Sequence, residues 1–176
     1  MTSDQSTGDR LTSSGAASDG GTSGRVTSSE TEDDSAASDM AVSDRAPKPW
    51  TITLGALDEK LGIRVLEQSA RRVVATMPVA GNTQSLGRLH GGATAAFAEA
   101  LGSWCALIHA SALGKVCAGV DLNITHHRGA TDGILTGTAM PVHLGRTTTS
   151  HEIVVTDDQG RRICTARITN QLIEPR

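Results

Sequence analysis

QSLGRLHGGATAAFAEALGS, residues 84–103, is the stretch on which the reading of this chain turns. After His90, two glycines open an apolar run in which Ala93, Ala96, Phe97, Ala100, Leu101, Trp104, Leu107 and Ile108 recur at i, i+3, i+4 and i+7. That spacing predicts one long helix with a broad apolar stripe toward a sheet. The other side, Gly92, Ala95, Glu99, Gly102, Ser103 and Ala106, should be charged if it met water, yet no Lys or Arg occurs between Leu89 and Lys115. A helix small or apolar all round is buried on both sides. A domain of this length has no second layer to supply, so a second copy of the chain is the expected cover. Glu99 is the single carboxylate in this helix, and an acid kept where packing prefers none usually serves chemistry.

Outward from the helix, turn residues separate short β-rich runs. Residues 53–60 place Leu54, Leu57 and Leu61 at helical spacing with Gly62 as the stop, which predicts a short helix. Residues 63–67 and 72–77 read as a hairpin. Residues 78–89 have no period and form a long loop. Beyond the helix come four runs, residues 116–126, 134–143, 147–156 and 162–173, divided by Asp132-Gly133, Leu144-Gly145 and Asp157-Asp158-Gln159-Gly160. The order predicts an α+β fold of five or six antiparallel strands, with the long helix on one face of a curved sheet.

Composition divides the chain near Pro47. Residues 1–47 hold nine acids against three arginines and no aromatic residue. They predict a disordered, low-complexity acidic tail, followed by a folded domain over residues 48–176. The folded part carries ten acids and thirteen basic residues, enough for an anionic small molecule and too few for a nucleic-acid footprint. Cys105, Cys117 and Cys164 are odd in number and widely spaced, so reduced packing thiols are expected. No basic patch followed by an apolar run opens the chain, so a cytoplasmic location is expected. A membrane span would also fit the length of the long helix, but the central Glu99, His109 and the many alanines oppose it.

The chemistry concentrates around the helix start. Gly91 and Gly92 leave backbone N–H groups open at the positive end of the dipole, suited to a developing oxyanion. Gln84 offers a neutral amide, and His90 either caps the helix or touches substrate. Ser103 lies one turn from Glu99 on the same face and can orient the carboxylate or a water. His126 and His127 are adjacent on a strand and point to opposite faces, so they do not share a metal ion. With no His-Glu-x-x-His and no carboxylate at ligand spacing, neither a metal nor another cofactor is expected.

Gln84, Leu89-His90-Gly91-Gly92, Ala98-Glu99 and Gly102-Ser103 together resemble the hot-dog-fold thioesterases of the phenylacetic-acid-degradation (PaaI) type, a likeness extending over residues 54–173. In appearance the chain is similar to the bacterial members that hydrolyse 1,4-dihydroxy-2-naphthoyl-CoA or proofread aryl carrier-protein thioesters in enterobactin synthesis. The resemblance implies a curved sheet wrapped around one central helix, and hydrolysis of acyl-CoA, aryl-CoA foremost. Glu99 would be the catalytic carboxylate, as nucleophile or general base. Gly91 N–H would polarise the thioester carbonyl, helped by Gln84, with His90 and Gly92 shaping the site and Ser103 orienting the acid or water. The two halves would come from different subunits of a dimer, paired again into a tetramer. His126 or His127, whichever lies on the strand face that meets the helix, is expected to line the acyl pocket. Arg128 and the next strand end, with His143, Gly145, Arg146, Thr147 and Thr148, would meet the CoA moiety. Many relatives carry Pro after the arginine of this stretch, where this chain has Gly129. Two other functions fit the same residues: hydrolysis on a carrier protein, and a non-catalytic module that binds acyl-CoA.

Overall fold

The computed structural model describes residues 50–175. The expected tail and its boundary at residue 47 lie outside the described residues.

The first helix, α1, spans Ala56–Lys60, starting three residues later than the leucine spacing suggests. Asp58 Oδ2 accepts the Gly55 N–H at 2.8 Å and holds Gly55 extended as the cap. Strands β1 (Arg64–Gln68) and β2 (Val73–Pro78) form the expected hairpin. Ser69 closes its turn: its N–H donates to Arg72 O at 2.8 Å, and its Oγ accepts the Arg72 N–H at 2.9 Å. The long helix α2 is Gly91–Ser111. Strands β3 (Val116–His126), β4 (Ile134–Leu144), β5 (Thr148–Thr156) and β6 (Arg162–Ile173) follow, within a residue of the expected ends. The six strands make one antiparallel sheet in the order β1-β2-β4-β5-β6-β3.

Helix α2 lies across this sheet with Phe97, Ala98, Leu101 and Cys105 fully buried against Met77, Leu135, Ile153 and Ile168. Fully burying a side chain such as Phe97 or Leu101 contributes about 1.5–3 kcal/mol. Two glycines let the helix sink this far. A Cβ on Gly137 of β4 would stand 2.7 Å from Leu101 Cδ2 and 2.8 Å from Phe97 Cε1, and one on Gly102 would stand 2.3 Å from Ile168 Cγ2.

This seating corrects the sequence reading of the helix faces. Gly102 and Ala106, expected on the open side, are buried, whereas Ala96, Ala100 and Leu107, expected against the sheet, are only half-buried. The helix is turned by roughly a quarter of a revolution from the expected setting. Alanine and glycine fit either side, so the spacing of large residues underdetermined the rotation. The close glycine contacts decided it. No helix of the described residues is long and apolar enough to cross a membrane.

Candidate active site

The start of α2 is fixed by local sequence. His90 is the N-cap, and its Nδ1 accepts the Gly92 N–H at 2.8 Å. The His90 carbonyl takes the N–H groups of Ala93 and Thr94 at 3.1 and 3.2 Å. Gly91 is then the first-turn residue whose N–H has no protein acceptor among the described residues. Buried Asn82 ties the preceding loop down: its Nδ2 donates to Leu61 O and Pro78 O at 2.8 and 2.9 Å, and its carbonyl accepts the His90 N–H at 2.8 Å. His126, at the end of β3, stands over the helix start, with Nε2 3.2 Å from where a Gly91 Cβ would be. Gly91, Thr94, His126, Arg128 and Ile163 line a cavity of about 290 Å³ here. A free N–H at a helix terminus, beside an imidazole and below an arginine, suits a carbonyl that gains negative charge.

Two turns along the helix, Glu99 borders a second cavity of about 220 Å³ with Gly119, Asp121, Leu122 and Ile168. The carboxylate is exposed in the single chain, in keeping with its place on the side of α2 that the chain's own sheet does not cover. Ser103 departs from expectation. Its Oγ accepts from Asn170 Nδ2 on β6 at 3.3 Å, and no hydrogen bond joins it to Glu99 among the described residues.

The remaining candidates divide between the ends of the helix. Gln84 sits in a tight loop, where its Oε1 accepts the Leu86 N–H and its backbone N–H donates to Arg88 O at 2.7 Å. Its side chain is engaged within that loop and not at Gly91. His127 turns away from His126 and shares a hydrogen bond with Thr165 Oγ1 at 3.0 Å. Exposed Arg128 stays at the helix-start cavity. His143, Gly145, Arg146, Thr147 and Thr148 instead surround the β4–β5 turn, which is attached to the far end of the helix by His109 Nε2 donating to Gly145 O at 2.9 Å. Gly145 is required there for packing, since a Cβ would fall 2.7 Å from Thr148 O. Gly91, Glu99 and His109 are spaced along one helix, so within one chain the turn is about 27 Å from the helix start.

The family model for the thioesterase superfamily matches residues 86–164. A putative esterase of Deinococcus radiodurans is 44% identical over 119 residues, 68% of this chain and 75% of that protein. The proofreading thioesterase EntH of Cronobacter turicensis is 40% identical over 122 residues, 69% of this chain and 88% of that protein. The chain belongs to the thioesterase superfamily. The crystal structure of a mutant thioesterase from Pseudomonas aeruginosa superposes with a TM-score of 0.63 at 35% identity, covering 66% of this chain and 85% of the other. The α+β architecture of this thioesterase is the hot-dog fold, and its activity is hydrolysis of thioesters.

Beneath the Ser103–His109 stretch of α2 the thioesterase buries a polar group that sequence reading missed. Thr149 and His151 on β5 and Asn170 on β6 are fully buried, and Thr149 Oγ1, both His151 nitrogens and Asn170 Oδ1 have no protein partner among the described residues. Each such atom costs about 1–3 kcal/mol if left dry. Burial, with His109 nearby, lowers His151 to about 4, so it is neutral. The signal was available in the inward alternation of β6, where Asn170 follows Ala166 and Ile168 on the core face. Asn82 was legible only as a turn residue. Burial pushes the Cys105 thiol up to about 12 and those of Cys117 and Cys164 up to about 11, so all three are packing groups and not nucleophiles.

Proposed function

We propose that this thioesterase hydrolyses acyl-CoA, aryl-CoA foremost, at sites shared between two chains. The observation that carries the reading is the separation of its two halves. Gly91 N–H and Glu99 are eight residues apart on one helix, about 12 Å along the axis, too far to act on one thioester carbon. The open side of α2 is small and half-exposed, and it carries no Lys or Arg. A second copy laid antiparallel on that side would bring its Gly91 to the first chain's Glu99. Water attacks the thioester carbonyl, the oxyanion gathers at Gly91 N–H, and Glu99 takes the proton from water before the thiolate departs. In the nucleophile route Glu99 itself attacks the carbonyl, the C–S bond breaks and the CoA thiolate leaves, and water then hydrolyses the acyl–Glu99 mixed anhydride to free acid and carboxylate. His90 keeps the helix start in place, and Gln84 assists there once its loop opens. His126, which stands over the helix start, bounds the acyl pocket. Arg128, and from a neighbouring chain Arg146 with His143, Gly145, Thr147 and Thr148, would hold CoA phosphates. Pairing of dimers into a tetramer is the expected assembly.

Free-thiol release across aromatic and aliphatic CoA esters tests the reading. Turnover is expected to be fastest with aromatic esters and to vanish in Glu99→Gln. Full activity of that variant would sink the carboxylate mechanism. A second reading, hydrolysis of acyl groups on a carrier protein, is favoured by the likeness to a proofreading thioesterase. Comparing one acyl group on CoA and on holo carrier protein separates the two, with the preferred donor showing the higher kcat/KM.

A further inference from the structure

Ser103 Oγ has one proton and two lone pairs to dispose of. One lone pair is taken by Asn170 Nδ2 at 3.3 Å, so the hydroxyl proton cannot point at Asn170. No carbonyl of α2 accepts it among the described residues, although Ser111 in the same helix does donate to Ile108 O at 2.8 Å. The proton is therefore uncommitted, and Glu99 lies one helical turn away on the same side. The ground between these groups is kept open by Gly119 on β3. The position a Gly119 Cβ would occupy is 3.7 Å from Asn170 Nδ2, 3.8 Å from Glu99 Oε1 and 3.8 Å from Ile168 Cδ1. Asn170 is itself fully buried, and its Oδ1 has no protein partner. Packing alone would favour an aliphatic residue at that place on β6, between Ile168 and Leu172.

We propose that Asn170 is a positioning residue for the thioesterase reaction: by donating to Ser103 Oγ, it turns the Ser103 hydroxyl proton toward Glu99 and the water seated beside it over Gly119. This rests on Glu99 being the working carboxylate. Asn170 does not touch substrate and acts through Ser103.

The test compares Asn170→Leu, Asn170→Asp, Ser103→Ala, the Asn170→Leu/Ser103→Ala pair and Glu99→Gln in the full chain. The readouts are kcat, KM and the pH profile of kcat with one good CoA ester, alongside thermal unfolding. Asn170→Leu should lower kcat about tenfold with KM little changed, since the acid loses its alignment and the acyl pocket does not. It should not lower the unfolding temperature, because it removes an unpartnered buried oxygen. In the Ser103→Ala background it should cost nothing further. Asn170→Asp replaces the donor with an acceptor that draws the hydroxyl proton away and adds negative charge, so the acid limb of the profile should move to higher pH. Wild-type kcat in both Asn170→Leu and Asn170→Asp overturns the proposal, and so does an equal further loss in the Ser103→Ala background. Should Asn170→Leu fail to fold, the Asn170→Asp profile decides alone, and an unmoved acid limb refutes the role. An active Glu99→Gln would instead defeat the carboxylate reading, whereas an inactive one beside unaffected Asn170 variants defeats only the positioning role.

Discussion

The two sides of α2 are finished to different degrees. Toward the sheet, Phe97, Leu101, Gly102 and Cys105 meet strand residues at full burial, and the chain completes that contact by itself. Away from the sheet, Ala96, Ala100, Ser103 and Leu107 are half-buried around an exposed Glu99, with no basic residue to hold the side in water. One side is a core; the other is the side on which the proposed second copy would lie. The contrast teaches that one helix can complete its packing on one side within its own fold and leave the other side open.

The sharpest way to break this comparison is to disable each half in a different chain. Glu99→Gln removes the acid, and Gly91→Pro removes the free N–H at a helix position that tolerates proline, with the His126 ring shifting slightly. Each alone should cost about 10²–10⁴-fold in kcat. Unfolding and refolding the two together should restore roughly a quarter of wild-type activity, since half the dimers are mixed and each has one intact site. A mixture no better than its separate components would mean that each chain works alone.

Next in size is a charge on the open side. Ala100→Glu should separate the chains and remove activity while the circular dichroism stays unchanged, because two like charges would face each other across a symmetric contact. Light scattering that shows an unchanged oligomer would place the interface elsewhere. The matching change on the finished side, Gly102→Ala, should instead lower fold stability by about 3 kcal/mol in denaturant unfolding, because its Cβ would sit 2.3 Å from Ile168 Cγ2. Unchanged stability would show that the helix can lift off the sheet.

The smallest effect concerns the buried polar group between helix and sheet. His151 falls to about 4 in the folded state, from 6.5. Between those values the unfolded chain binds the extra proton, so stability falls as pH drops through this window and is unaffected above it. At pH 5 the loss is about 2 kcal/mol. His151→Leu should flatten the stability profile from pH 7 to 4.5, and an unchanged slope would show that His151 takes up its proton without unfolding.

Much of this was legible beforehand. Alternating runs with turn residues between them marked the strands to within a residue, and the leucines near Gly62 marked α1, though not the cap that Asp58 sets at Gly55. His90, Gly91 and Glu99 were recognised at their positions on the helix. The bond partner of Ser103 was not, because Asn170 is 67 residues away and nothing local pairs them. Gln84 was read as a free amide, and its loop engages it, since a side chain two residues from a backbone donor closes on that donor readily.

The sequence by itself determined the order of elements, the single long helix and the family of the chain, because periodicity, turn chemistry and a contiguous motif are local properties. Only the tertiary structure decided which side of α2 meets the sheet and which polar groups are buried beneath the helix. Those depend on how closely two glycines let a helix approach a sheet, and alanine-rich periodicity carries no record of that distance.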